Sequence, residues 1–182
     1  MLSNKPFTLM AAALAIVAVP ASAKNPMVGG AAMYPTKNIV QNAVNSKDHT
    51  TLVAAVKAAG LVDTLSGKGP FTVFAPTNAA FGKLPPGTVE TLVKPENKGT
   101  LTTVLNYHVV PGRITAGQIA SLAARGKGVA KLKTVQGEAL RFSKNGSGWK
   151  VTDAKGGSAR ITTANVMQSN GVIHVVDTVL MP

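Results

Sequence analysis

The stretch Asn170-Gly171-Val172-Ile173-His174-Val175-Val176-Asp177 decides the fold. Between Val172 and Val176 every residue but His174 is β-branched and apolar, so an extended chain here is apolar on both faces. A strand without a polar face is covered from both sides, which places it in the interior of a sheet. Just upstream, Ser169-Asn170-Gly171 reads as a hairpin turn in which Gly171 supplies a positive φ. Further back, alternation of period two recurs at Ala159 to Thr162, Trp149 to Thr152, Leu140 to Ser143 and Lys131 to Val135. Gly156-Gly157, Lys144 to Gly148 and Gln136-Gly137 separate these segments, so the C-terminal part reads as an antiparallel meander.

Ahead of Gly126 the spacing is mainly helical. Ile39, Val40, Ala43 and Val44 follow a possible cap at Thr36, and Leu52, Val53, Val56 and Ala59 precede a stop at Gly60. A short strand interrupts them at Phe71-Thr72-Val73-Phe74, bounded by Gly69-Pro70 and Ala75-Pro76, after which Thr77 can cap a helix running through Phe81. Another helix is predicted over Leu101 to Asn106, with Tyr107 to Val110 turning extended before Pro111-Gly112. The architecture is therefore α+β: helices first, then a meander whose final strand pairs with the Phe71 strand.

The chain has 182 residues, no cysteine and a net charge of +12. That length suits one domain, and the missing thiols exclude disulfide scaffolds, thiolate metal sites and cysteine nucleophiles. Residues 1–23 read as a signal peptide: Lys5 near the start, a 13-residue apolar run from Phe7 to Val19, Pro20, and a cleavage site at Ala21-Ser22-Ala23. The run is shorter than the ~20 residues of a membrane-spanning helix, so the expected product is a secreted or periplasmic chain. Residues 24–35, with Gly29-Gly30, read as a flexible lead-in to a domain over 36–182. Only four of the nineteen basic residues are Arg, and the cations are scattered singly among apolar segments that hold the aromatics. Dedicated nucleic-acid readers cluster Arg forks and stacking platforms, so a solvated basic surface is expected instead.

Three segments in order resemble the fasciclin (FAS1) domain family. Phe71 to Phe81 is similar to its first box, Asn106-Tyr107-His108-Val109 to its Tyr-His motif, and Asn170 to Asp177 to its second box, the likeness running from about Asn38 to Pro182. One such domain behind a signal peptide resembles the small secreted bacterial members of MPB70-like type. The resemblance implies a β-wedge with helices packed around it, used for adhesion and for protein, matrix or envelope glycan contacts, without catalysis or cofactor. Some members bind carotenoids or other lipophilic molecules, which makes a carrier the alternative. Animal members contact integrins partly through Asp-Ile-Met before the second box; here those positions read Asn165-Val166-Met167.

The box residues also have readings of their own. Thr72, Phe74, Pro76, Thr77, Asn78, Phe81, Asn170, Gly171 and His174 read as structural, Thr77 and Asn78 by satisfying the free amides of a starting helix. Tyr107 and His108 are either a hydrogen-bonded core pair or, with Asn165, Val166 and Met167, part of a contact region. His49, His108 and His174 show no metal-ligand spacing, Asp177 lies across the strand from His174, and no Gly-x-Ser-x-Gly elbow occurs, so no enzyme is expected. Asn145-Gly146-Ser147 is a glycosylation sequon, meaningful only where the source glycosylates. Intact mass of the exported protein is expected to correspond to a chain beginning at Lys24; a mass retaining residues 1–23 would refute the leader.

Overall fold

The computed structural model of the protein describes residues 24–182, so the expected leader and its expected cleavage site lie outside the described residues. The chain first forms a hairpin of β1 (Met27–Val28) and β2 (Ala31–Ala32), turned by Gly29 and Gly30 at φ 57° and 76°. This corrects the flexible lead-in expected over 24–35. Val28 and Met33 are buried in the main core, and that burial offsets the entropy lost in ordering so short a hairpin.

Helices follow. α1 (Ile39–Ala43) starts at Asn38 rather than Thr36: the Gln41 amide donates to the Asn38 side chain and the Asn38 amide donates back to the Gln41 side chain. α2 (Thr50–Ala59) ends at Gly60, φ 73°, where the sequence stop falls. α3 (Val62–Ser66) leads to β3 (Phe71–Pro76), and α4 (Asn78–Gly82) begins with the Ala80 amide donating to the Thr77 hydroxyl at 3.2 Å. After α5 (Thr88–Leu92), α6 (Lys98–Tyr107) runs through Tyr107 and is capped by His108. The extended segment expected from Tyr107 thus begins only at β4 (Val109–Pro111). α7 (Ala116–Arg125) then precedes β5 (Val129–Lys133), β6 (Ala139–Asn145), β7 (Gly148–Thr152), β8 (Ser158–Gln168) and β9 (Gly171–Val176).

These strands form a seven-stranded sheet in the order β4-β3-β9-β8-β7-β6-β5. β9 pairs with β3 in parallel, Phe71 opposite Gly171 and Pro76 opposite Val176; the other neighbours are antiparallel. The Val135 amide donates to the Val109 carbonyl at 2.8 Å, so the two ends of the sheet meet and the wedge is nearly closed. Every residue of β9 is buried. Ile173 and Val175 face a core built with the helices, whereas Val176 joins Phe74, Tyr107, Leu140, Phe142 and Trp149 on the opposite side. This two-sided burial is what the apolar run from Val172 to Val176 demands.

Gly171 serves a different purpose from the one expected. Its φ is not positive, and the turn is made by Ser169 and Asn170. A Cβ at Gly171 would lie inside contact distance of the Phe71 carbonyl oxygen, so its glycine permits the close approach of β3 and β9. Gly171→Ala is expected to reduce unfolding free energy by roughly 2–4 kcal/mol. Gly99→Ala, in the first turn of α6 with no neighbour near its Cβ position, should stabilise by about 0.4–1 kcal/mol. Urea midpoints of the two variants, moving in opposite directions, check both expectations.

Candidate functional site

The box residues are tied into the fold by hydrogen bonds of definite direction. The buried Thr72 hydroxyl donates to the Gly112 carbonyl at 2.6 Å and accepts from the Ile114 amide at 2.8 Å, holding the β4–α7 connection against β3. Asn78 accepts from the Thr51 amide at 3.0 Å and donates to the Lys47 carbonyl at 2.8 Å, joining α4 to the start of α2. Asn170 accepts from the Ile39 amide and donates to the Leu65 and Gly67 carbonyls, three bonds that pin α1 and α3 beside the β8–β9 turn. Pro76 ends β3, Phe81 fills the helical core, and Phe74 stacks on His174 with ring centroids 5.4 Å apart.

Tyr107 and His108 form a satisfied pair in the interior. Tyr107 is wholly buried, and its hydroxyl accepts from the Ala154 amide at 2.8 Å. His108 accepts at Nε2 from the Leu180 amide (3.0 Å), so its Nδ1 carries the proton and donates to the Val104 carbonyl (2.8 Å). Burial lowers its pKa to about 4, against an opposing effect of the Val104 carbonyl. His174 has the other tautomer: Nδ1 accepts from the Asn165 amide (3.4 Å), and Nε2–H donates to the Ile114 carbonyl (2.8 Å). Burial lowers its pKa as well. Asp177 takes no part in that arrangement; it accepts from the Arg160 amide and the Thr178 hydroxyl, and faces Lys83 at 3.9 Å.

Asn165, Val166 and Met167 occupy the last part of β8. Val166 is wholly buried in the helical core, Met167 is half-buried, and Asn165 is exposed. Asn165 adopts φ 58° and accepts at its side-chain oxygen from the Ala116 amide at 2.8 Å, the first amide of α7. Asn tolerates this left-handed conformation better than most residues. Of the five candidate contact residues, the fold therefore leaves Asn165 and Met167 at the surface and holds Tyr107, His108 and Val166 beneath it. Beside them Arg113 donates to the carbonyls of Gln168 and Ser169, both at 3.1 Å. Among the described residues, no three His, Asp or Glu side chains come together as a metal site, and no helix is long and apolar enough to cross a membrane. Sequence reasoning missed Arg113 and the α7 N-terminus as neighbours of Asn165; the Thr115-x-x-Gln118 capping box ahead of Ile119, Leu122 and Ala123 is the local signal that marks this helix, whereas its contact with β8 has none.

A mixed, nearly closed sheet with helices packed around it and polar motif residues turned inward defines a β-wedge domain. Residues 47–182 match the model of the fasciclin domain. The chain is 46% identical to Protein sll1483 of Synechocystis sp., covering 97% of this chain and 91% of that one. It is 34% identical to immunogenic protein MPB70 of Mycobacterium bovis, over 94% and 90%. Against transforming growth factor-beta-induced protein ig-h3 of Sus scrofa the identity is 40% over 72% of this chain and 17% of that protein. In structure it is similar to the FAS1 domain pair of the insect cell adhesion molecule fasciclin I, with a TM-score of 0.72 and 16% identity, covering 80% of this chain and 51% of that one. This chain belongs to the fasciclin domain family.

The neutral histidines make stability depend on pH. His108 is folded with a pKa near 4 and unfolds into a state with the ordinary value of about 6.5, so the unfolded state binds more protons between these values. Its contribution is complete above about pH 6.5 and is lost as pH falls towards 4, amounting to about 3 kcal/mol. His49 and His174 act in the same direction. Urea midpoints measured from pH 7 to pH 4 should fall steadily; a flat profile across that window would mean the histidines are not held neutral.

Proposed function

We propose that this chain works outside the cytoplasm as a non-catalytic fasciclin module, mediating adhesion or interaction with an extracellular or envelope partner. The observation that carries this reading is the inward commitment of the motif's polar atoms. Thr72, Asn78, Tyr107, His108, Asn170 and His174 all spend their hydrogen bonds on the fold, which leaves the exposed surface to meet a partner. Relatives support it, since MPB70 is described as immunogenic and the similar structure comes from a cell adhesion molecule. In this reading Asn165 and Met167 touch the partner, while Tyr107, His108 and Val166 shape that surface from behind.

A carrier of a lipophilic molecule such as a carotenoid is the competing reading. The apolar space between α1, α2, α3 and β3, lined by Ile39, Leu52, Val56, Leu65, Val73 and Leu105, is a cavity of about 40 Å³. Ligand sites are roughly 300–1,000 Å³, so the adhesion reading is favoured.

Met167→Ala is expected to weaken attachment of the purified protein to cells of its source by about 1–2 kcal/mol, a five- to thirtyfold change, with its melting curve close to that of the parent. Tyr107→Ala, by contrast, should first lower the melting temperature, because it empties a core position and orphans the Ala154 amide. Attachment unchanged by Met167→Ala would move the contact surface elsewhere. A coloured or lipid-loaded protein from native cells would favour the carrier.

A further inference from the structure

Strand pairing gathers on one face cations that are far apart in the sequence. On the outer side of β5 to β8, Lys131 lies directly opposite Arg141, and Lys150 directly opposite Arg160. Arg141 and Lys150 are joined by one diagonal step, since Lys150 pairs with Ser143, two residues beyond Arg141. The four cations therefore form a continuous stripe across four strands, each about 4.8 Å from the next in the hydrogen-bonding direction. All four residues are exposed. None makes an ion pair or a side-chain hydrogen bond among the described residues, where Lys83–Asp177 is the one salt bridge.

Like charges placed directly opposite each other on neighbouring strands destabilise a sheet, and this face carries two such pairs. Between residues 127 and 160 the acidic residues are Glu138, in the β5–β6 turn, and Asp153, whose buried carboxylate accepts from the Gly157 and Met181 amides. At its β8 end the stripe runs into a polar depression of about 350 Å³, lined by Asn145, Lys150, Ser158, Arg160, Asp177 and Thr178.

The geometry points to an anionic polysaccharide as the occupant of this face, with the stripe pairing its carboxylate or sulfate groups and the depression receiving a sugar unit. The inference rests on reading the chain as an exported interaction module and names the chemistry of one partner. Three features favour a glycan. Hydroxyls of Ser143, Thr152 and Ser158 alternate with the cations on this face, and hydroxyls both donate to and accept from sugar hydroxyls. The aromatics of these strands, Phe142 and Trp149, turn inward, leaving no platform on which bases could stack. The strands also rotate by roughly 20–25° from each to the next and the sheet nearly closes on itself, so the stripe winds over a convex surface. A flexible chain follows such a path, whereas a flat bilayer meets only part of it.

The test uses the full exported protein and measures binding to heparin and to polygalacturonate at about 0.15 M salt, where only clustered or close charges escape screening. Replacing the stripe (Lys131→Gln, Arg141→Gln, Lys150→Gln, Arg160→Gln) should weaken binding at least tenfold, with an unchanged or higher melting temperature because two repulsive pairs are removed. Replacing four exposed lysines of the helical side (Lys57→Gln, Lys68→Gln, Lys94→Gln, Lys98→Gln), with the same loss of charge, should change it less than twofold. Equal weakening by both sets would reduce the effect to net charge and overturn the inference, as would a parent protein that binds neither polysaccharide. Tighter, stripe-dependent binding to phosphatidylglycerol vesicles or to single-stranded DNA would overturn it in favour of those partners. Should the fourfold stripe variant not fold, the two pairwise variants, Lys131→Gln with Arg141→Gln and Lys150→Gln with Arg160→Gln, carry the same comparison. Attachment to source cells reports on the module separately, because Met167→Ala weakens it while polysaccharide binding persists.

Discussion

The parallel pairing of β3 with β9 is the contact on which the rest of the domain depends. It joins two segments a hundred residues apart, Phe71 facing Gly171 and Pro76 facing Val176. Both apolar clusters are built on it, since alternate residues of the two strands point to opposite sides. Because Gly171 brings the β9 backbone against the Phe71 carbonyl, no side chain fits between the strands at their entrance. Asn170, one residue earlier, then fastens α1 and α3 to the same corner. Long-range pairing of this kind forms only after a large loop closes, so the helices between the two strands are held by an interaction that none of them supplies.

Polar groups in this interior are few, and each is given a direction. His108 and His174 are opposite tautomers, each fixed by a backbone amide donating to one ring nitrogen and a backbone carbonyl accepting from the other. Such a ring specifies one register of the surrounding segments, because any slip leaves a donor or acceptor unpaired at a cost of about 1–3 kcal/mol. His49 shows the limit of the pattern: Nδ1 lies 2.9 Å from the Ser46 hydroxyl, while Nε2, buried, has no hydrogen-bond partner. Its pKa is lowered by burial, the nearby Ala75 carbonyl opposing.

How far the sequence foretold this arrangement depended mostly on whether the cause was local. The central position of β9 was legible because two-sided apolar character leaves a strand no other place, and the caps at Thr77 and Gly60 were legible because their chemistry acts within a few residues. The helix α7 went unread although its signal was local, a Thr115-x-x-Gln118 capping box ahead of Ile119, Leu122 and Ala123; only the bond from its first amide to Asn165 of β8 comes from afar. Order in the β1–β2 hairpin depends on Val28 and Met33 reaching a distant core. Gly171 carried the right residue with the wrong reason attached, because a close approach between strands is not visible from one strand alone. For the contact region the same limit applied: Tyr107 and Met167 look alike as candidate anchors in the sequence, and only packing separates a buried ring from a half-buried thioether.

The stretch that matches the fasciclin family begins at residue 47, yet Val28, Met33 and Ile39 sit in the same apolar cluster as Leu52, Val73, Val166 and Ile173. Backbone and side-chain bonds stitch the preceding segment in place: Lys47 to Gly29, Ser169 to Lys37, Asn42 to Tyr34 and to Gln168. The unit recognised by likeness is therefore smaller than the unit that excludes water. A protein cut to the family boundary would keep every strand of the large sheet and still present an open, greasy flank where α1 and the hairpin had lain, a surface prone to self-association. For this chain the folding unit reaches back at least to Val28, and the segment from there to α1 forms one wall of the wedge outside the stretch that matches the family.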